Sequence, residues 1–317
     1  MKVAVSILIP IKNEAANLPR CLESVAWADE VFVIDSNSSD GSQRIAGDYG
    51  AHVVQFPFNG TWPKKKNWAL ENLPFKHDWV FILDADEVLP PETEEEIRAI
   101  VSDDSCSADL QSAVSPTCSR QCVEIVETLE NSSLQQVENL RYSRLQVCAT
   151  RPVGYWINRR FMFMGKWLKH AYYPNWNLRL FKHRLGRYEK LTDVNTASGD
   201  NEVHEHVIVD GATGYLRSEM DHYAFPSVDV FVEKHNRYSN WEARVALDHF
   251  LRGSQVVLQS GTVGWRRKLK SASQRLPFRP LLRFLYVYLW QRGFLDGREG
   301  YYFARLHGFY EFLSVAK

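Results

Sequence analysis

The stretch that decides the fold is WVFILDADEVLPPE, residues 79–92, in which five apolar residues run directly into Asp84-Ala85-Asp86. A short apolar run of this kind is typical of a buried strand. At the end of a strand, period-two geometry would point both carboxylates the same way, about 7 Å apart at the backbone. Two such acids repel unless a cation lies between them. We therefore expect Asp84 and Asp86 to bind Mg²⁺ or Mn²⁺ together with a diphosphate, the alternative being a solvated turn.

Three further β-rich runs precede this strand, at residues 3–9, 31–34 and 53–56, with helical patterns between them. The strand and helix alternation predicts an α/β fold with a mostly parallel sheet flanked by helices. Strand carboxyl ends then meet at one edge, where such sheets bind ligands. The polar segments PIKNE, DSNSSDGS and DADE follow three of these strands, so this edge is expected to carry the chemistry.

The order of four segments, SILIPIKNEAANLPRCLESV, VFVIDSNSSDGS, KKKNWALE and FILDADEVLPPE, resembles the nucleotide-sugar domain of family 2 inverting glycosyltransferases of the GT-A type. Later segments, among them NRRFMFMGKWLKH, VHEHVIVDG and RGFLDGREGYYFA, are similar to the branch of beta-glucosyltransferases that build the lipopolysaccharide core. The resemblance implies a Rossmann-like GT-A fold with a C-terminal helical extension. It also implies transfer of a sugar from a nucleotide-sugar, expected to be a UDP-hexose, to a lipid-linked saccharide such as a lipopolysaccharide core.

The resemblance assigns roles to residues of the donor site. Pro10 and Glu14 would contact the uridine, and Asp35 would accept a hydrogen bond from the uracil N3–H. Asp35 could instead belong to a helix N-cap with Asp40-Gly41. Lys66 and Asn67 would lie near the nucleotide or its phosphates, whereas Lys64 and Lys65 are interpreted as a solvated face.

An inverting transfer needs a base on the acceptor side, and the resemblance places it in NEVHEHVIVD, residues 201–210. Glu205 is the predicted base, although the family usually has an acidic pair there, and Glu202 and Asp193 remain alternatives. His222 is a candidate third metal ligand beside Asp84 and Asp86. A structural histidine is the other interpretation of His222.

The chain divides by composition into four parts. Residues 1–101 form the nucleotide-sugar half of the expected domain, and residues 102–150, rich in Ser, Gln and Cys, read as an insertion. Residues 151–226 form the acceptor half, and residues 227–317 a helical region. Within the insertion the spacing of Cys118 and Cys122 has no second pair to complete a zinc site.

The whole chain has 38 basic and 38 acidic residues, so no overall field indicates nucleic acid as a partner. No apolar run reaches the length of a membrane span or a signal peptide, and five scattered cysteines suit reduced thiols in the cytoplasm. From Trp265 onward there are eleven Lys or Arg and three acids, with many aromatics. This composition predicts peripheral contact with an anionic membrane, on the cytoplasmic face of the inner membrane. The alternative is a helical pair packed on the core.

Other functions fit the residues less completely. The sequence DADEV also matches the nucleophile motif of haloacid-dehalogenase-type phosphatases, with Asp84 as the nucleophile, but that motif follows the first strand of its fold rather than the fourth. A sugar nucleotidyltransferase needs an N-terminal glycine-rich phosphate loop, which IPIKNEAANLP does not supply. A non-catalytic carbohydrate-binding protein remains an alternative if the base is missing.

Overall fold

The computed structural model describes residues 1–60, 62–111, 151–190, 206–252 and 278–317, and at 104–111, 241 and 245–252 it describes the backbone alone. Strands and helices alternate through the first part of the chain: β1 (Val3–Ile11), α1 (Leu18–Ser24), β2 (Ala28–Asp35), α2 (Ser42–Asp48), β3 (His52–Gln55), α3 (Lys65–Asn72) and β4 (Trp79–Ile82). The four strands predicted from the sequence are confirmed to within a few residues.

The second part contributes mainly strands: β5 (Glu87–Val88), β6 (Gly154–Phe163), β7 (Lys166–Trp167), β8 (Trp176–Lys182), β9 (Gly186–Tyr188), β10 (Val207–Val209) and β11 (Thr213–Phe225). The main sheet has the order β3-β2-β1-β4-β8-β6-β11-β5, with β7 paired to β6, while β9 and β10 form a separate small sheet. The predicted α/β fold class is confirmed.

Parallel pairing is concentrated in the N-terminal half of the sheet. Strands β3, β2, β1 and β4 are parallel neighbours, whereas β8 runs antiparallel to both β4 and β6. Strand β5 pairs antiparallel with β11, placing His222 opposite Glu87. This last pairing carries a residue from late in the chain to the turn that contains Asp84 and Asp86.

The near-continuous apolar run of β1 reflects burial on both faces of the sheet. Ile7 and Ile9 pack into a cluster on one face with Leu18 and Ile97, whereas Leu8 packs on the opposite face. A strand that met solvent on one side would alternate apolar and polar residues instead. The parallel half of the sheet is thereby a rigid, two-sided support for the loops at its edge.

The remaining helices are α4 (Glu92–Gln111), α5 (Val228–Arg252), α6 (Arg279–Leu285), a π-helical turn (Tyr286–Trp290), a 3-10 turn (Gly293–Asp296) and α7 (Gly297–Ala316). The region from residue 227 onward, which the sequence predicts to be helical, begins with α5, a helix of 25 residues. An aromatic cluster that includes Phe161, Phe163, Phe231 and Phe303 joins α5 and α7 to the sheet. Within the described residues no helix combines the length and the apolar character needed to cross a bilayer.

One predicted boundary differs from the structure. Helix α4 continues to Gln111, ten residues past residue 101, after which the sequence predicts an insertion. The remainder of the predicted insertion, 112–150, lies outside the described residues.

Candidate active site

The carboxyl ends of β1, β2 and β4 meet at one edge of the sheet because these strands are parallel neighbours. Ile11 at the end of β1 pairs with Asp35 at the end of β2, and Leu8 pairs with Ile82 at the end of β4. The loops that follow carry Glu14 and Asp84. The sequence prediction that this edge gathers the candidate site residues is therefore correct for the first, second and fourth strands.

Asp35 is fully buried and closes its own loop. Its carboxylate accepts hydrogen bonds from the Ser38 amide, at 3.0 and 3.2 Å, from the Ser38 hydroxyl, and from Gln43 Nε2 at 2.7 Å. A carboxylate has about four acceptor positions, so this set leaves little spare capacity. A uracil N3–H would compete with these donors, of which the Ser38 hydroxyl and the Gln43 amide are on side chains.

Glu14 lies in the loop after β1 and is anchored to the second loop. Its amide donates to Ser42 Oγ at 3.0 Å, and Asn17 Nδ2 donates to its carboxylate at 2.8 Å. Burial raises the pKa of Glu14, and the neighbouring charges of Asp86 and Asp84 raise it further. Pro10, which the sequence places in this loop, is instead buried within β1 opposite Ile34.

Asp84 is held by two cations from different elements. Lys66 Nζ of α3 lies 2.9 Å from its Oδ1, and Arg179 of β8 lies 2.8 Å from its Oδ2. Burial alone would raise the pKa of Asp84, but Arg179 and Lys66 outweigh it and hold that pKa well below the usual range. Asp84 is therefore a charged carboxylate with each oxygen already facing a cation.

A second carboxylate, Glu87, completes this ion network beneath the site. It is fully buried, it accepts the Asp84 amide at 2.9 Å, and it lies 2.7 Å from Arg179 and 3.2 Å from Arg159. Buried charges of this kind persist only when they are paired and hydrogen-bonded. The network of Asp84, Glu87, Arg159 and Arg179 thus fixes the turn on which Asp86 stands.

Asp86 points to the other side of that turn. Its Oδ1 lies 3.5 Å from His222 Nε2, and its Oδ2 lies 3.8 Å from Lys234 Nζ of α5. Burial would raise the pKa of Asp86, but His222 and Lys234 outweigh it, so the pKa is lowered. Lys234 also donates to the Ala224 carbonyl at 3.2 Å, and the rings of Phe161 and His222 pack edge to face.

The expectation that Asp84 and Asp86 point the same way is not met. Strand β4 ends at Ile82, and the Glu87 amide donates to the Asp84 carbonyl at 2.9 Å, which closes a turn between them. Period-two geometry applies to extended backbone and fails in such a turn. Asp84 therefore faces Lys66 and Arg179, while Asp86 faces His222 and Lys234.

A divalent cation fits Asp86 and His222 better than it fits the predicted trio with Asp84. The separation of 3.5 Å between Asp86 Oδ1 and His222 Nε2 is long for a hydrogen bond. It suits two ligands that each lie about 2.1 Å from one ion. Among the described side chains, no group of three His, Cys, Asp or Glu is placed to hold a metal. Waters and phosphate oxygens normally complete a Mg²⁺ shell, so two protein ligands are sufficient.

Lys65, Lys66 and Asn67 begin helix α3 and are all buried. The interpretation of Lys65 as a solvated side chain is wrong, because its Nζ donates to the Ile11 carbonyl at 2.7 Å. Asn67 exchanges two hydrogen bonds of 2.8 Å with the backbone of Tyr188, which fixes α3 against β9. Lys66 brings its charge to the turn through Asp84.

Sequence reasoning missed Arg179, Glu87 and Lys234. A signal was available for Arg179, because a charged residue between Leu178 and Leu180 in an apolar strand must find a buried partner. Lys234 reaches the site only because α5 packs back on β11, which no local pattern predicts. The predicted base Glu205 and the alternatives Glu202 and Asp193 lie outside the described residues.

Comparison with known proteins places this geometry in context. The family model described as Glycosyl transferase family 2 matches residues 6–164. An uncharacterized glycosyltransferase of Rickettsia typhi (strain ATCC VR-144 / Wilmington) is 25% identical over 316 residues, which cover 99% of this chain and 86% of that protein. The lipopolysaccharide core biosynthesis glycosyltransferase LpsC of Rhizobium meliloti (strain 1021) is 24% identical over 327 residues, covering 100% of this chain and 92% of LpsC.

Among solved structures, similarity extends to glucosyl-3-phosphoglycerate synthase from Mycobacterium tuberculosis in complex with Mn²⁺, UDP and glucosyl-3-phosphoglycerate. The two chains are 26% identical, with a TM-score of 0.23, over 27% of this chain and 34% of that one. The overlap thus spans about a third of the solved chain. The similarity over nearly the full chain comes from the two sequence relatives.

Proposed function

This chain belongs to glycosyl transferase family 2, and from that premise we propose that it is an inverting, metal-dependent glycosyltransferase. The proposed donor is a nucleotide-sugar, a UDP-hexose, and the proposed acceptor is a lipid-linked saccharide such as a lipopolysaccharide core at the cytoplasmic face of a membrane. One observation carries the proposal most strongly. Asp86 and His222, both partly buried and 3.5 Å apart, lie beside Lys234 at the sheet edge where ligands of such folds bind.

In the donor site, Asp86 and His222 would hold Mg²⁺ or Mn²⁺. When bound, the ion supplies a Lewis acid that neutralises charge on the departing diphosphate. Lys66 and Lys234 add positive charge on either side of the turn, and both lie within 4 Å of a carboxylate of the DADE segment. Glu14 and Asp35, from the first two loops, are proposed to contact the nucleoside.

The acceptor side requires a base, and Glu205 is the proposed one because it occupies the matching position in the resemblance. The acceptor hydroxyl oxygen forms a bond to the anomeric carbon while the bond from that carbon to the diphosphate oxygen breaks. The hydroxyl proton passes to the Glu205 carboxylate, and the electron pair leaves with the nucleoside diphosphate. Attack from the face opposite the leaving group inverts the anomeric centre.

The acceptor class is supported by the name of LpsC, which is a lipopolysaccharide core biosynthesis glycosyltransferase similar to this chain along its whole length. The sugar itself is not specified by any contact described above. The phosphatase alternative is disfavoured by geometry, because a nucleophilic Asp84 would have to attack with an oxygen that already faces Lys66 or Arg179. A carbohydrate-binding protein without a base remains distinguishable by experiment.

A panel of nucleotide-sugars tests the proposal directly. The purified chain is incubated with each nucleotide-sugar and Mn²⁺, and both thermal unfolding and release of the nucleoside diphosphate are measured. A true donor at about 100 times its dissociation constant stabilises the fold by roughly 2.7 kcal/mol. We expect one class of UDP-sugar to stabilise the chain and to be slowly hydrolysed; stabilisation by none of the panel would overturn the proposal.

Glu205→Ala separates binding from catalysis. We expect this variant to keep donor-induced stabilisation and to lose transfer by at least 100-fold, since general base catalysis contributes roughly that much. Glu202→Ala is the matched control and is expected to retain activity. An active Glu205→Ala would move the base to another residue, whereas a wild-type protein that binds the sugar without turnover would favour the carbohydrate-binding alternative.

A further inference from the structure

The C-terminal helices leave a large apolar area exposed. We define the C-terminal face as the exposed apolar side chains of residues 278–290 and 301–315. Trp290 is 80% exposed, Phe278 75%, Leu289 55% and Phe312 53%. Large apolar patches on a soluble surface mark interaction sites, whereas single exposed apolar side chains need no explanation.

The exposed positions follow the period of a helix. In α6 and the turn after it they recur at Leu281, Leu285 and Leu289, and in α7 at Arg305, Phe309 and Phe312. Steps of three and four residues place side chains on one side of a helix. Each helix therefore presents a continuous stripe to solvent rather than isolated exposed residues.

The opposite side of these helices is closely packed, so the stripes are not the result of loose docking. Phe303, Ala304 and Val287 are buried in the aromatic cluster. At Gly308 a Cβ atom would lie 3.0 Å from the Pro280 carbonyl oxygen, so α6 and α7 approach closely there. The exposed stripes therefore lie on helices whose opposite sides are tightly packed against the rest of the fold.

The acidic groups of this segment are turned inward. Asp296 is 2% exposed and accepts the amides of His170 and Ala171 at 3.0 and 2.8 Å. Glu311 pairs with Arg279 at 2.6 Å, and Glu299 lies 3.4 Å from Lys166. These three are all the acids of residues 278–317.

Three basic groups of the same segment are instead exposed. Arg292, Arg298 and Arg305 are all exposed and interrupt the apolar stripes or border them, and Arg298 also lies 3.4 Å from Glu299. With the carboxylates satisfied inside, the charge shown to solvent by this face is positive. Exposed aromatic and aliphatic side chains mixed with arginines match the headgroup layer of an anionic bilayer, where apolar groups enter the boundary and cations meet lipid phosphates.

The C-terminal face is close to the candidate active site. The ring of His222 is 5.5 Å from that of Phe161, and Phe161 is 5.5 Å from Phe303 on the inner side of α7. A helix is about 10 Å across with its side chains, so the outward stripe of α7 lies only one helix beyond this chain of rings.

We infer that the C-terminal face docks on the surface of a bilayer containing anionic lipids, with its apolar stripes in the headgroup boundary and its arginines on lipid phosphates. The inference deepens the proposed function, on which the role of docking rests, because docking would hold the site beside a lipid-linked acceptor. Membrane binding itself is independent of the donor chemistry. A second copy of the chain is the other occupant to be tested.

Vesicle flotation of the full chain tests the inference. Vesicles of phosphatidylcholine with and without phosphatidylglycerol are compared at low and high salt. We expect flotation with phosphatidylglycerol vesicles at low salt, weakened by salt and by omission of the anionic lipid. Leu289→Ser/Trp290→Ser should lower the partition coefficient at least tenfold, because two largely exposed apolar side chains no longer enter the boundary.

The arginines are tested separately. Arg298→Gln/Arg305→Gln should lower partition about fivefold for each charge, and only with anionic vesicles. Tyr215→Ser, which removes a 64% exposed aromatic from β11, and Arg44→Gln, which removes an exposed charge from α2, are the matched controls and should float like wild type. Absence of wild-type flotation, or controls as defective as the face variants, would overturn the inference.

Sedimentation without lipid and UDP binding complete the test. A concentration-dependent dimer that Leu289→Ser/Trp290→Ser abolishes, with no wild-type flotation, would assign the face to a second copy and overturn membrane docking. UDP binding by the face variants should equal that of wild type, which shows that they fold. Flotation in a protein that binds no nucleotide-sugar would refute the proposed function and leave the docking surface standing.

Discussion

Replacement of Arg179 by methionine tests the ion network that supports the turn. Arg179 is 5% exposed and contacts both Asp84, at 2.8 Å, and Glu87, at 2.7 Å. Removing one partner of a buried ion pair costs about 3–5 kcal/mol, because a charge is left without compensation. In this variant Asp84 remains paired with Lys66 and Glu87 remains paired with Arg159. We therefore expect the free energy of unfolding to fall by an amount near the lower end of this range, about 3 kcal/mol at pH 7.

Urea unfolding followed by circular dichroism measures this loss, through the midpoint and the slope. The control is Arg98→Met, whose ion pair with Glu94 on α4 is more than a third exposed on each side. An exposed ion pair one helical turn apart contributes about 0.3–0.5 kcal/mol, so the control should be nearly as stable as the wild type. The slope should stay constant in both variants if the compactness of the folded state is unchanged.

The pH dependence gives a second, independent prediction. Arg179 contributes to holding the pKa of Asp84 below its usual 3.8, so the stability from this contact is present above that value and is lost as pH falls through the folded pKa. The difference between wild type and Arg179→Met should therefore narrow below about pH 4. A variant as stable as Arg98→Met at pH 7, or a difference that widens in acid, would refute the network.

Two further predictions concern helix α5. Lys234→Ala should weaken UDP binding about tenfold in calorimetry and leave uridine binding unchanged, because a charged hydrogen bond to the diphosphate is lost. The control Arg237→Ala removes an exposed arginine three residues further along the helix and should bind UDP as the wild type does. Equal losses of UDP affinity in the two variants would count against the role assigned to Lys234. Burial lowers the pKa of His235 to about 4 from 6.5, so this imidazole is protonated at a lower pH in the folded state than in the unfolded chain. Stability should thus fall as pH drops from about 6.5 to 4, by roughly 3 kcal/mol from this group. His235→Phe should flatten that part of the stability profile, and an unchanged profile would contradict the burial of a neutral imidazole.

The sequence was sufficient for the strands and for the edge at which they end. Apolar runs such as 79–83 mark strands buried on both faces, and parallel connectivity brings their ends together whatever the side chains are. The position of Asp84 and Asp86 could be predicted for this reason. Their orientation could not, because it depends on a turn closed by the Glu87 amide.

Long-range partners were the part that local pattern could not supply. Arg179, from β8, and Lys234, from α5, reach the turn through sheet order and helix packing, which are tertiary properties. His222 was singled out through a family resemblance rather than spacing, and the structure brings it to Asp86 through the pairing of β11 with β5. Lys65 was misread because a lysine in a basic run is usually solvated, whereas here its ammonium group caps the end of β1.

The central claim is that Asp86 and His222 hold a divalent cation together with the diphosphate of a nucleotide-sugar. Calorimetric titration of UDP into the wild-type chain, with and without Mn²⁺, tests it most directly, alongside Asp86→Ala and the control Asp221→Ala, which removes a carboxylate of β11 that pairs instead with Arg160. We predict UDP binding that requires Mn²⁺, is lost in Asp86→Ala and is kept in Asp221→Ala. Metal-independent binding of UDP that is unaltered in Asp86→Ala would contradict the account.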